Sequence, residues 1–352
     1  MIIVADALTR FAGAIIAAAG SAASEAEEVA SHLVEANLKG HDSHGVGMIP
    51  TYLRNVRDGH LKPNQHAVLV SEVGPLAVFD GQMGYGQVIA RETTEWAIAT
   101  AKRSGVGIFA LRNTHHVARV GAYGELAAAA GLVSISFVNV LIAPGRVAPF
   151  GGMTGRFGTD PVCIAFPGGA GQPPVVLDFA TSRVAAGKLR VALNEGKSLP
   201  HGYLIDAHGN DATDPAVFYR GNGAMLPFGE HKGSGLALAC ELLAGVLTGS
   251  GAMQGGIPNH GVKNGMFSIV LDPARFGDPD AMAREMDALI GWVKSSPTRP
   301  GVEEVMVAGE PERKSRAKRL KDGIPIDANT WEELVAAARQ VGIPAPAPRP
   351  GG

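Results

Sequence analysis

The 352-residue chain carries only two cysteines, Cys163 and Cys240. Two are too few for a disulfide framework or a cysteine-based zinc site, and they fit a reducing, cytoplasmic setting. Charge of either sign is scarce in excess: 31 Lys and Arg stand against 33 Asp and Glu, a formal net charge of −2. Without a basic surplus there is no electrostatic footprint for nucleic acid or for an acidic membrane surface. No apolar run approaches the roughly 18 residues that cross a bilayer. No GxGxxG follows a strand pattern, so a Rossmann unit has no support, and HExxH and paired-cysteine metal motifs are missing too. What is present is a globular composition, 46% apolar and 18% charged, long enough for one large or two medium domains.

The segment FAGAIIAAAG (11–20) has the apolarity of an export signal, but Asp6 cancels Arg10 ahead of it, so a positive n-region is lacking. Leu8, Phe11 and Ile15 recur at helical spacing and predict a packed amphipathic helix instead. SEAEEVASHLVEANLKG (24–40) predicts a second helix, with Ser24 and Glu27 as a capping box and Gly40 as its stop. Pro50 opens a short third helix closed by Gly59. From residue 76 the texture changes to short apolar runs bounded by Gly, Pro or Asp. LAVFD (76–80), GVGIFAL (105–111), LVSISFVNV (132–140), VCIAFP (162–167), PVVLDFA (174–180) and FSIVLD (267–272) read as buried strands, several of them separated by helical patterns. After about 273 helices return, with one more strand expected at VEEVMVAG (302–309). The expected fold is α/β: a non-Rossmann, sheet-containing central domain over 76–272, and a helical domain built from both chain ends, 1–75 and 273–343. The Pro-rich tail 344–352 is expected to be disordered.

Four segments could carry chemistry. GHDSHGVGMIP (40–50) holds His41, Asp42, Ser43 and His44 in a helix–helix junction, where a metal site, an acid/base centre and a plain polar turn compete. LRNTHHVARVGAYG (111–124) puts Thr114, His115 and His116 between a strand and a helix, a usual place for ligands in sheets flanked by helices; His115 could equally fill a polar corner. In LDFATSRVAAGK (177–188), Asp178 ends a strand, and Thr181 and Ser182 read most simply as helix N-caps. In FGEHKGSGLALACELLAG (228–245), Lys232 opens an apolar helix. A cation there opposes the helix dipole unless an anion is shared with the free N–H groups.

Taken in order, these segments with FGTDPVCIAFP and AGEPERKSRAKRLKDGIPID resemble the motifs of the malate/L-lactate dehydrogenase family, the non-Rossmann group that includes ureidoglycolate and sulfolactate dehydrogenases. The resemblance runs from about residue 5 to 342. It implies a homodimer that interconverts 2-hydroxy and 2-oxo acids with NAD or NADP and no metal. It makes His44 the acid/base, Ser43 its polar neighbour and His116 the second histidine of the site. Asp178, Phe179, Ala180, Thr181, Ser182, His231, Lys232, Gly309 and Glu310 would line the cofactor.

Two departures from the family pattern stand out. Many members carry Arg where this chain has Met48, a residue expected here to line the substrate's side-chain pocket. Arg119 is expected to supply the missing carboxylate fork, with Arg54, Arg112 and Arg183 still open. The common GTNP is GTDP here, so Asp160 would add negative charge to the cofactor wall. Reduction of a cyclic imine such as a piperideine-2-carboxylate, or nucleotide binding without catalysis, remain as alternatives.

Overall fold

The computed structural model describes residues 1–169, 172–194, 196–256 and 261–345. The predicted stripe forms α1 (Ala5–Ala18), with Leu8, Phe11 and Ile15 buried against α2 (Ala23–Leu38). Gly40, at φ 83°, ends α2, and Pro50 sits in the first turn of α3 (Ile49–Arg57). These helices share one core, which includes Val29, Leu33, Tyr52 and, from the other chain end, Leu334 on α11 (Ala328–Gln340). A two-strand ladder of β1 (Ile2–Ile3) with β12 (Ile324–Pro325) ties the chain ends together. No helix of the described residues is long and apolar enough to cross a membrane.

A seven-stranded mixed sheet forms the second core. Its strands are β2 (Val68–Val73), β3 (Leu76–Asp80), β4 (Val106–His115), β5 (Val133–Leu141), β6 (Val162–Phe166), β7 (Val175–Phe179) and β11 (Lys263–Leu271), in the order β2-β3-β4-β11-β5-β6-β7. Only β3 and β4 run parallel, joined by the crossover helix α4 (Gly86–Ser104). Adjacent rows of side chains point to opposite faces. One row, Ala77–Phe109–Ser268–Ser136–Cys163–Asp178, lies on the face that packs on α4 and α5 (Gly121–Ala129). The next row, Leu76–Ile108–Ile269–Ile135–Ile164–Leu177, is aliphatic across six strands and only partly covered, with Leu76 and Leu177 each 42% exposed. The apolar runs therefore do not reflect burial on both faces. They supply one buried face and one incompletely covered one.

A smaller lobe consists of α6 (Ala186–Asn194), α7 (Ala216–Tyr219) and a three-stranded sheet of β8 (Leu204–Ile205), β9 (Asp211–Ala212) and β10 (Ala224–Met225). Helix α8 (His231–Cys240) follows and continues as a π-helical turn over Glu241–Leu247, which packs on the Asn139 end of the partly covered face. Helices α9 (Pro279–Lys294) and α10 (Glu310–Asp322) precede α11, and α9 buries none of its residues.

The structure corrects several local expectations. Ser24 caps nothing, because α2 begins at Ala23; the Ala22 N–H donates to Asn64 Oδ1 at 2.7 Å, so a residue far along the chain takes the capping role. Thr181 and Ser182 are not N-caps either, since α6 starts only at Ala186. Their hydroxyls donate to the carbonyls of Thr159 and Val184. Residues 302–309 form no strand: beside β7 they offer one bond, from Val176 N–H to Ala308 O at 3.4 Å, too little for a ladder. Strand β2 joins the sheet ahead of residue 76. Of the tail expected to be disordered, 346–352 lie outside the described residues.

Candidate active site

The GHDSHG segment is a single 3₁₀ turn, Asp42–His44, held from three sides. Asp42 accepts two bonds from the Arg319 guanidinium, at 2.7 and 3.0 Å, and one from Asn37 Nδ2 at 2.7 Å. Asn37, 2% exposed, turns its own oxygen to the Val46 N–H at 2.9 Å. That grip explains Gly45: a Cβ there would lie 2.2 Å from the Asn37 amide oxygen. His41, outside the turn, meets Glu312 at 3.2 Å. Among the described residues no cluster of three or more His, Cys, Asp or Glu could hold a metal ion.

Thr114 and His115 are the last residues of β4, and His116 follows directly. His115 is wholly buried, with Nε2 2.8 Å from Asn55 Nδ2, and burial lowers its pKa to about 3. It fills a corner between α3 and the sheet, the structural role left open for it. His116 is different. Its Nδ1 lies 2.7 Å from the Tyr52 hydroxyl, whose oxygen already accepts the Gln87 amide N–H at 2.9 Å. If the Tyr52 hydroxyl donates to Nδ1, neutral His116 carries its own proton on Nε2. The His116 ring stacks on His44, centroids 5.3 Å apart and planes 20° from parallel. Burial, then the neighbouring His41, His32 and Arg119, lower the His44 pKa to about 4. Burial and the nearby histidines push His116 well below its usual value. His44 Nδ1 is enclosed without a hydrogen-bond partner among the described residues, whereas its Nε2 is neither enclosed nor bonded.

The sequence thus points to His44 and His116 but misses Tyr52, Gln87 and His32. Tyr52 could have been found: it shares the apolar stripe of α3 with Ile49 and Leu53, and a buried phenol needs a partner for its hydroxyl. His32 of α2 lies against Tyr123, 5.7 Å between ring centroids, and burial lowers its pKa to about 4.

Arg119 is not the free fork expected for a substrate carboxylate. It is 3% exposed, bonds Glu125 at 2.9 Å and lies 3.8 Å from Asp178, while its enclosed Nε and Nη1 have no hydrogen-bond partner among the described residues. Arg112 is taken by Asp80, Arg54 is exposed beside Thr51, and Arg183 lies over the Tyr203 ring. An arginine the sequence reading passed over, Arg190, has a better situation. Helix α6 runs against the catalytic turn so closely that a Cβ on Gly187 would sit 2.2 Å from Ser43 Cβ. Three residues on, Arg190 Nη2 is 2.7 Å from the Cβ position of Gly47. Among the described residues Arg190 Nε has no partner, Nη2 donates to Thr330 Oγ1 at 3.4 Å, and the ion pair with Glu333 is a loose 3.9 Å. Met48 is half-buried and packs against the helical core.

The expected cofactor-lining segments largely meet. Asp178 lies on the α5 face, where it accepts the Gly121 N–H at the helix start (2.7 Å), and burial raises its pKa despite Arg119. Phe179 packs edge-on against Phe228 at 5.5 Å, Ala180 is half-buried beside it, and Phe228 N–H donates to Thr181 O at 3.0 Å. Ser182 bridges to Pro227. These contacts bring 178–182 against the start of α8, where His231 and Lys232 are both exposed and Lys232 makes no ion pair among the described residues. Gly309 and Glu310 lie beside the β7 edge, Glu310 accepting the Val307 N–H at 2.9 Å. Asp160 is the exception. It is wholly buried, bonded to the Val140 N–H, and lines no open wall.

The sequence profile of the malate/L-lactate dehydrogenase family matches residues 3–335. The chain belongs to the malate/L-lactate dehydrogenase family. Hydroxycarboxylate dehydrogenase B of Escherichia coli is 43% identical over 97% of this chain and 94% of the relative. The L-lactate dehydrogenase of Cupriavidus necator is 41% identical over 94% and 95%. Among solved structures, sulfolactate dehydrogenase of Methanocaldococcus jannaschii superposes with a TM-score of 0.87 at 33% identity, covering 98% of each chain. For a malate/L-lactate dehydrogenase family member, the Tyr52–His116 bond has a direct test. Tyr52→Phe deletes the proton that fixes His116, and turnover of hydroxy acid is expected to fall about tenfold or more. Nitrogen-15 NMR is expected to find His116 as one tautomer in the wild type and as a mixture in the variant. Unchanged turnover with an unchanged spectrum would show that Tyr52 merely packs.

Proposed function

We propose that this enzyme, an oxidoreductase of 2-hydroxy and 2-oxo acids, moves hydride to and from NAD or NADP with His44 as its acid/base. The observation that carries this reading is the stacked, neutral His44–His116 pair. The two rings are chemically unequal. His116 presents an Nε2–H and can only donate, while His44 keeps an unbonded Nε2 that can accept a proton. In oxidation, His44 takes the substrate hydroxyl proton, and His116 donates a hydrogen bond to the same oxygen as alkoxide character builds. In reduction, imidazolium at His44 returns the proton. The free-state pKa of about 4 suits the base role; the charge of a bound substrate carboxylate favours the protonated ring and so supports the acid role. Arg190 is the cation best placed to receive that carboxylate, and Met48 leaves the neighbouring pocket wall apolar.

The residues at the start of α8 suit a dinucleotide. Lys232 is a cation at the positive end of a helix and makes no ion pair among the described residues, as expected where phosphate binds. A bound nicotinamide supplies the hydride acceptor or donor. Phe179, Ala180, Thr181, Ser182 and Gly309 form the wall that would hold it. Association as a homodimer is part of the same reading. Leu76 and Leu177 of the partly covered row are each 42% exposed, and Leu238, Leu242 and Val246 of the helix packed on the sheet are each at least half exposed, apolar surface that a second copy would cover.

Three results test the proposal. kcat/KM for hydroxy-acid oxidation should stay level as pH falls from 8 to 6 and decline only toward about 4, because the lowered pKa keeps His44 neutral until then. His44→Ala should cut kcat roughly a hundredfold and abolish that limb; near-wild-type turnover would exclude His44 as the acid/base. Lys232→Ala should weaken NADH or NADPH binding about tenfold by fluorescence titration, and unchanged binding would remove the phosphate reading. Running both nucleotides with a panel of 2-oxo acids and a cyclic imine fixes the substrate class. For assembly, sedimentation of wild type should give a dimer and of Leu242→Glu a monomer; a monomeric wild type with full activity would rule out the dimer.

A further inference from the structure

Two acidic side chains are buried together on the side of the sheet away from the histidines. Asp160 is 0% exposed and Glu241 3% exposed. They are anchored to adjacent residues of β5: Asp160 Oδ1 accepts the Val140 N–H at 2.9 Å, and Glu241 Oε2 accepts Asn139 Nδ2 at 3.2 Å and Met253 N–H at 2.9 Å. The Asn139 amide cannot turn over to suit another partner, because its oxygen accepts the Gly265 N–H. Each carboxyl is left with one enclosed oxygen that has no donor, Asp160 Oδ2 and Glu241 Oε1.

The groups facing the pair are few. From the turn come the N–H groups of Gly158 and Asp160, from β5 those of Val140 and Asn139, and from α8 the buried Cys240 thiol. Among the described residues no Lys, Arg or His pairs with either acid. Two buried carboxylates anchored at neighbouring residues of β5, with no cation among the described residues, are too costly for both to ionise, and a proton shared between their orphan oxygens would satisfy both. Burial, then the charge of Glu241, raises Asp160 well above the ordinary carboxylate range, and burial raises Glu241 as well.

We infer that Asp160 is an un-ionised carboxylic acid in the working protein, donating its O–H from Oδ2 to the Glu241 carboxylate, and that this shared proton is a positioning link. Asp160 then does not charge the cofactor wall; it does what the side-chain amide of asparagine would do at that place. The link closes a ring of contacts. Thr159 O holds Thr181 through its N–H and hydroxyl, Thr181 O holds Phe228 N–H, and Phe228 O holds Gly233 N–H in the first turn of α8. Glu241 lies at the far end of that helix, so the acid pair fixes the turn and the helix at both ends.

The experiment uses the full-length protein. Infrared difference spectra of wild type minus Asp160→Asn at pH 8 should show the carbonyl stretch of an un-ionised acid; no such band overturns the inference. The melting temperature adds a sign. An acid held protonated in the folded state loses stability as pH rises above its unfolded pKa. Asp160→Asn should therefore match wild type near pH 4 and exceed it by about 2 °C or more at pH 9. A gap that does not change with pH overturns the inference too. The positioning half rests on reading the Lys232 end of α8 as the cofactor anchor. Asp160→Ala should raise the KM for NADH severalfold with kcat largely held, and Asp160→Asn should restore it. An unmoved KM beside a positive infrared band overturns the positioning role alone. Unmoved nucleotide binding in Lys232→Ala instead points to a failure of the anchor reading.

Discussion

The active centre depends on how one buried amide is spent. Asn37 donates to Asp42 and accepts from Val46, so it closes the Asp42–His44 turn from inside while Arg319 closes it from outside. Neither bond is unusual, and a typical net hydrogen bond contributes only about 1 kcal/mol. Their position is what matters. The turn joins α2 to α3 within the helical core, whereas His116 stands at the end of β4 in the sheet core. The two imidazoles can stack only if both cores meet in one register, and Tyr52, a helical-core residue bonded to His116, sets that register across the seam.

Burial decides the electrostatics of this seam. For His44, His115 and His116 the loss of water is the largest influence on protonation, ahead of any neighbouring charge. The charges are gathered beside the rings instead, where Arg119 and Lys39 share Glu125 and Arg119 also approaches Asp178. Even there burial outweighs a guanidinium at 3.8 Å, since Asp178 is raised and not lowered. The outcome is a pair of stacked imidazoles kept neutral by the loss of water, with the nearest charges engaged with one another beside them.

What could be read in advance was what repeats or clusters. The stripe of α1, the Gly40 and Pro50 boundaries and six strand positions follow from local pattern, whereas His44 and His116 are singled out from their two histidine clusters by the family resemblance. What could not be read depends on residues far apart in sequence. Asn64 takes the capping role that Ser24 and Glu27 advertised locally, because a loop 42 residues away supplies the acceptor. Arg119 looked free although Glu125, its bonded partner, is only six residues on, because only the fold turns that carboxylate toward it and adds Asp178 from far along the chain. Arg190 went unnoticed because only the packing of Gly187 on Ser43 brings α6 to the turn. Asp160 read as an added charge because its partner Glu241 is also distant. In each case the local sequence names a capable group and the fold decides what that group meets.

The sheet register separates two tasks by a single residue. Asp178 and Leu177 are neighbours on β7, opposite Cys163 and Ile164 on β6. Period-two alternation sends Asp178 to the α5 face, against the Gly121 N–H and Arg119, and sends Leu177 to the aliphatic row. A slip of one residue in this strand would bury Leu177 against a guanidinium and put a carboxylate among isoleucines. The row of five paired contacts from Leu76 to Leu177 resists that slip at every strand it crosses. The partly covered apolar face therefore also holds in register the strand that carries Asp178 to the α5 face.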